Sequence, residues 1–155
     1  MEDQFREQFA LISEHFSQTF TEMFGGGRAF LRLTDEGDVL TSGVDIVAQP
    51  PGKVLAGIGL MSGGERALTA IALLFGILRM KPSPFCILDE VEAALDDANV
   101  TRFSNFLKNA ARNTQFILIT HRKGTMEAAD VLYGVTMQER GVSKLVSVNF
   151  EDRSA

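Results

Sequence analysis

A single cysteine, Cys86, stands in the 155 residues, so no internal disulfide can form and a reducing, cytoplasmic setting is expected. The two histidines, His15 and His121, are far apart, and the ligand spacing of a structural zinc site is missing. Long hydrophobic runs are missing too. Charge or glycine breaks every apolar stretch well short of the roughly 18–20 residues that cross a bilayer, so no membrane role is expected. The opening Met1-Glu2-Asp3-Gln4-Phe5-Arg6 is acidic and then amphipathic, unlike a secretory signal. Positive charge is in deficit: the net charge is −5, and such a field works against non-specific phosphate binding. Arg79 with Lys81, and Arg122-Lys123, read as solvated pairs at the ends of elements. A nucleic-acid activity therefore cannot rest on charge in this chain.

What is present fits one globular domain, with 45% apolar and 23% charged residues. Phe5, Phe9, Ile12, Phe16, Phe20 and Met23 recur three and four apart, which predicts a helix with one apolar stripe, stopped by Gly25-Gly26-Gly27. Residues 29–33 and 44–47 read as an antiparallel hairpin around Asp35-Glu36-Gly37-Asp38. Pro50-Pro51-Gly52 marks a loop. A second helix should run from Ser62 to about Met80, before Pro82, and a third from Asp97 to Arg112. Between and after them, Phe85-Cys86-Ile87-Leu88 and Gln115 to Thr120 read as strands buried on both faces. A short helical turn near Thr125 to Ala129 precedes a closing hairpin of Val131–Met137 and Ser143–Asn149. Strands alternating with helices predict an α/β fold with a largely parallel core sheet.

Two motifs carry chemistry. In Leu60-Met61-Ser62-Gly63-Gly64-Glu65-Arg66, Ser62 and Glu65 form a capping box, a purely structural device. A cap has no need of two consecutive glycines, which cost helix stability. They make sense where a ligand approaches the backbone, and a helix start with bare N–H groups and a serine hydroxyl suits a phosphate. In Phe85-Cys86-Ile87-Leu88-Asp89-Glu90, paired acids leave an apolar strand, the place where open α/β sheets put their ligands. One acid can hold a hydrated Mg²⁺ while the other orients or deprotonates water. Asp96 reads by itself as an N-cap, and His121, directly after a strand, as a solvated ring able to reach a phosphate. His15 carries no functional reading, and Cys86 is a small hydrophobe.

In this order, the pieces resemble the C-terminal half of a head domain of the SMC (structural maintenance of chromosomes) proteins, within the ABC-type ATPases. The likeness covers nearly the whole chain, through LMSGGERALTAIALLFGILRMKPSPFCILDEVEAALDDANV and TQFILITHRKGTMEAADVLYGVTM, and is nearest to bacterial and archaeal members. It implies a coiled-coil arm stub at residues 1–24 and an ATPase-head lobe at 25–155. Ser62, Gly63 and Gly64 would be the signature motif that meets the γ-phosphate of ATP held by an opposite head. Asp89 would help hold Mg²⁺, Glu90 would be the catalytic base, Asp96 the D-loop aspartate, and His121 the switch histidine. Met61 and Ala93 depart mildly from the pattern. One departure is large: G-x-x-x-x-G-K-[ST] is nowhere present, and Gly52-Lys53 lacks its earlier glycine.

The chain is therefore expected to be a fragment that needs an N-terminal half of the same head to bind and hydrolyse ATP. Alone it should be essentially inactive. The resemblance further implies an ATP-dependent pair of heads, a kleisin subunit as partner, DNA engaged through the whole complex, a nucleoid-associated location, and a role in chromosome condensation and segregation. Two other readings are a kleisin-docking module without activity of its own, using Ser143 to Phe150, and an SMC-like head of a DNA-break-repair ATPase. A transporter ATPase is disfavoured by HRKGTMEAADVLYGV and by the phenylalanine-striped entry helix.

Overall fold

The computed structural model describes residues 2–149. Helix α1 spans Glu2–Phe24, with Glu2 and Asp3 in its first turn, where acids favour the positive end of the helix dipole. Gly25, Gly26 and Gly27 all take positive φ and end it. Phe16, Phe20, Met23 and Phe24 are buried, whereas Phe5, Phe9 and Ile12 on the same stripe are half-buried. The apolar face is thus fully covered only in its second half.

That cover is helix α2, Gly63–Met80, which presents Leu68, Ile71, Ala72 and Phe75, with helix α3, Asp97–Ala110, adding Val100, Phe103, Phe106 and Leu107. Each of these side chains other than Ala72, fully buried, contributes about 1.5–3 kcal/mol from apolar area alone. Phe75 lies at the centre, edge-on to Phe106 with ring centroids 5.0 Å apart. The helices α1 and α2 cross closely because Gly76 has no side chain: a Cβ there would stand 2.8 Å from the backbone nitrogen of Phe16. At the end of α2, Arg79 donates to both oxygens of Glu22, at 3.1 and 2.5 Å.

The described strands form three separate sheets. Strands β1, Arg28–Leu33, and β2, Val44–Gln49, pair antiparallel, and the two-residue β3, Ala56–Gly57, extends them. Strands β4, Phe85–Asp89, and β5, Gln115–Ile119, pair parallel, with Ile87 opposite Ile117 and Asp89 opposite Ile119. After the four-residue helix α4, Lys123–Met126, strands β6, Val131–Glu139, and β7, Val142–Asn149, close an antiparallel hairpin. The α/β class is as expected, although the parallel part within this chain is one strand pair. Phe150, at the end of the expected docking strand, and residues 151–155 of the expected lobe lie outside the described residues.

The expectation that β4 and β5 are covered on both faces is corrected. Cys86, Leu88, Phe116 and Leu118 pack against the helical core, but the alternate residues do not. Phe85 is 53% exposed, Ile87 57%, Ile117 46% and Ile119 52%. A continuous apolar run satisfies both faces of a strand only if something lies on each, and the described residues supply one layer.

Candidate functional site

The uncovered face of β4–β5 ends in Asp89, which shares it with Phe85 and Ile87 by strand alternation. Glu90 follows with φ 46, the one described non-glycine residue at positive φ. Such a backbone costs on the order of 1–3 kcal/mol and persists only where the surroundings enforce it. Here the Glu90 amide donates to the carbonyl of Ile119 at 2.9 Å, which extends the ladder one residue past the strand. The turn swings the Glu90 carboxylate to His121, whose Nδ1 lies 3.1 Å from Oε1. Both side chains are exposed. Two residues 31 apart in sequence, each predicted separately, are thus brought together. An exposed carboxylate held by an imidazole can accept a proton from water placed against it.

Asp89 is exposed and offers a hard oxygen donor at the strand exit. Among the described residues no group of three or more acids, histidines or cysteines converges on a metal position. That donor set fits Mg²⁺ better than a metal needing a protein cage, since Mg²⁺ is commonly held by one or two carboxylates together with phosphate oxygens and waters.

Ser62 opens α2 with extended backbone, and its hydroxyl accepts from the Glu65 amide at 3.3 Å. The Glu65 carboxylate accepts in return from the Ser62 amide at 3.2 Å and hydroxyl at 2.8 Å, a complete capping box. Ser62 and Gly63 remain exposed. A Cβ on Gly63 would meet nothing within 4 Å, whereas one on Gly64 would stand 2.7 Å from Oδ2 of Asp96. The two glycines therefore have different reasons, and only Gly63 faces open space. Asp96 caps α3 by accepting from the Asn99 amide at 2.9 Å, so its bland reading holds, and the same carboxylate abuts the start of α2.

Sequence reasoning missed Lys53. Its amide donates to the Pro50 carbonyl at 3.1 Å, and Gly52 has φ +76 behind Pro51, a turn of type II. The turn delivers Lys53 Nζ to within 2.8 Å of Glu65 Oε1. This contact holds the Glu65 carboxyl below its ordinary range, helped by the hydroxyl and amide of Ser62 and opposed by partial burial. The Pro-Gly dipeptide was the available signal. Arg122, read from sequence as part of a solvated pair, instead donates to the carbonyl of Leu95 at 2.7 Å. Two open depressions on the described surface lie against β1–β3, away from Glu90.

The family model for the RecF/RecN/SMC N terminal domain matches residues 6–144. The chain is 66% identical over 152 residues to the chromosome partition protein Smc of Bacillus subtilis (strain 168), which spans 98% of this chain and 13% of that protein. Among solved structures, it matches with TM-score 0.89 and 42% identity a chain described as "Structural biochemistry of ATP-driven dimerization and DNA stimulated activation of SMC ATPases", covering 99% of this chain and 92% of that one. It also matches, with TM-score 0.82 and 43% identity, the "SmcHead bound to the C-winged helix domain of ScpA", covering 98% of this chain and 46% of that one. This protein spans about half of that solved head and a small part of the full-length relative. The family description names an N terminal domain, whereas the motif order led to the expectation of a C-terminal half. On these matches, the chain belongs to the RecF/RecN/SMC N terminal domain family.

Proposed function

We propose that this chain is one lobe of an SMC ATPase head, completed by a second lobe that carries the phosphate-gripping G-x-x-x-x-G-K-[ST] loop. The observation that carries this reading is the uncovered apolar face of β4–β5, which ends in Asp89 and Glu90. Isoleucines at 87, 117 and 119 stand in solvent beside the acids. A complementary layer would bury them and bring the missing loop to the carboxylates. The match to about half of a solved head supports the same division. That this lobe is the C-terminal one rests on the order of its motifs after an arm-like helix; the family description does not itself support that placement.

In the completed head, Asp89 would hold Mg²⁺ together with phosphate oxygens, and the ion would supply charge neutralisation on ATP. Glu90 accepts the proton of the attacking water, and His121 orients the Glu90 carboxylate. Ser62 and Gly63 offer a hydroxyl and a bare helix start to the γ-phosphate bound by an opposite head, so two ATP molecules sit between paired heads. Hydrolysis then parts them. The kleisin reading is compatible: the β6–β7 hairpin exposes Tyr133, Val135 and Leu145 on one face, an apolar surface suited to a protein such as the ScpA domain bound to the related head. We place the assembly on the chromosome, with DNA engaged by the whole complex and not by this acidic lobe. The deciding experiment measures ATP hydrolysis by this chain with and without the complementary lobe. Turnover should arise only on mixing, and equal activity in the isolated chain would sink the division.

A further inference from the structure

Between Glu90 and Asp96 the chain has no helix or strand to hold it, yet it carries a residue of strained backbone at one end and a helix cap at the other. What fixes it comes from the loop after β5. The Thr120 hydroxyl donates to Oε1 of Glu92, a carboxylate only 2% exposed, and accepts from the Arg122 amide at 3.0 Å. The Arg122 carbonyl accepts from the amides of Thr125 and Met126, both at 3.1 Å, so the main chain at 122 is anchored from either side. From that anchor the guanidinium reaches back. Its Nη2 donates to the carbonyls of Leu95 at 2.7 Å and Ala93 at 3.3 Å, and Nη1 lies 3.6 Å from Oδ1 of Asp97. One planar fork therefore takes hold of successive groups of the segment that leads into Asp96.

The clasp joins two functional places. On one side, His121 sits between Thr120 and Arg122 and holds Glu90. On the other, Asp96 follows Leu95 directly and abuts Gly64, two residues from Ser62. We propose that Arg122 is a positioning residue that makes the His121 loop and the Asp96 loop move as one body, linking the Glu90 site to the Ser62 helix within the lobe. It touches none of the reacting groups and acts through the carbonyls of Ala93 and Leu95. A lysine cannot replace it, because a point ammonium on a flexible stem does not span two carbonyls and a carboxylate at once.

This inference rests on the composite-head reading, and its test uses the complete head. In Arg122→Ala, kcat should fall about tenfold or more, since displacement of about 1 Å at a catalytic group can cost 10²-fold. KM for ATP should change less than about threefold and the melting temperature should hold, a split that loss of folding does not produce. Arg122→Lys should regain only a minor part of the rate. Combined with Asp96→Ala, the loss should not exceed that of the worse single variant, because both changes break one linkage. A kcat within about twofold of wild type, or losses that multiply in the double variant, would overturn the proposal. If Arg122→Ala does not fold, Thr120→Val carries the test, since it opens the same clasp and leaves the guanidinium in place; an unchanged kcat in Thr120→Val refutes the linkage. A wild-type head without any ATPase would overturn the composite-head reading, and this inference with it. An active wild type with an indifferent Arg122→Ala overturns this inference alone.

Discussion

Gly76→Ala should destabilise the protein even though alanine is the better helix former. At an interior position of α2 the exchange would gain about 0.5–1 kcal/mol in propensity. Against it stands the crossing with α1: the new Cβ would lie 2.8 Å from the Phe16 nitrogen, 2.9 Å from its Cα and 3.2 Å from the His15 carbonyl carbon. Ordinary contact needs at least 3.4 Å, and all three neighbours are backbone, so no rotamer change relieves the clash. The helices must part by roughly half an ångström, and a gap of that size forfeits about a quarter or more of each contact along the seam. Phe16 and Phe20 face Leu68, Ala72 and Phe75 in that core, so the loss is shared by large groups. Overpacking of this kind costs about 1–3 kcal/mol, which outweighs the propensity gain. A net loss near 1 kcal/mol should lower the melting temperature by about 2–4 °C at this chain length. Circular dichroism melts can be read against Gly63→Ala, where a Cβ meets open space. A Gly76→Ala protein as stable as wild type, or more so, would refute the close crossing and the docking of α1 on α2 inferred from it.

Other expectations follow from the site. Glu90→Gln in the complete head should lower ATP turnover by about 10²–10⁴-fold while ATP binding persists and the heads stay engaged; normal turnover would remove Glu90 from its role. Ser62→Arg should block ATP-dependent pairing of heads, followed by light scattering, and leave nucleotide binding to each head intact. Glu65, with its pKa depressed by Lys53, contributes stability that is complete above the ordinary glutamate range and is lost as pH falls through the lowered value. Lys53→Met should therefore flatten the acid limb of a stability–pH curve, and an unchanged limb would refute the ion pair's role. Leu145→Glu on the exposed hairpin should abolish capture of a kleisin winged-helix domain and spare ATP hydrolysis; retained capture would move docking elsewhere.

Much of the fold was legible because its boundaries are local. Three glycines end α1, Ser62 with Glu65 starts α2, and Asp96 starts α3, each acting within a few residues. The position of Asp89 and Glu90 at a strand exit was legible for the same reason, since an apolar run followed by acids is a short pattern. What escaped was long-range. Arg122 meets carbonyls 27 and 29 residues away, Lys53 meets a carboxylate 12 residues on, and no local pattern announces either. The positive φ of Glu90 escaped as well, because nothing in a glutamate predicts a left-handed backbone, and only the ladder to Ile119 and the contact with His121 account for it.

The paired glycines after Ser62 invite one explanation and require two. Gly64 is settled inside the chain: the carboxylate of Asp96 occupies the space of its missing side chain. A glycine explained by packing says nothing about phosphate, so Gly64 does not point to a ligand at this helix start. Gly63 is a different matter. It lies in the first turn of a helix, exposed, with no atom within 4 Å of where a Cβ would be. By intrinsic propensity, glycine in a helix interior costs up to about 1 kcal/mol relative to alanine, and at the first helical position some of that cost remains with no compensating contact among the described residues. In the proposed head, an opposing nucleotide phosphate at the backbone beside Ser62 would supply such a contact, and it would fit the charge of a helix start. Of the two glycines, Gly63 is therefore the one that contacts among the described residues leave unexplained.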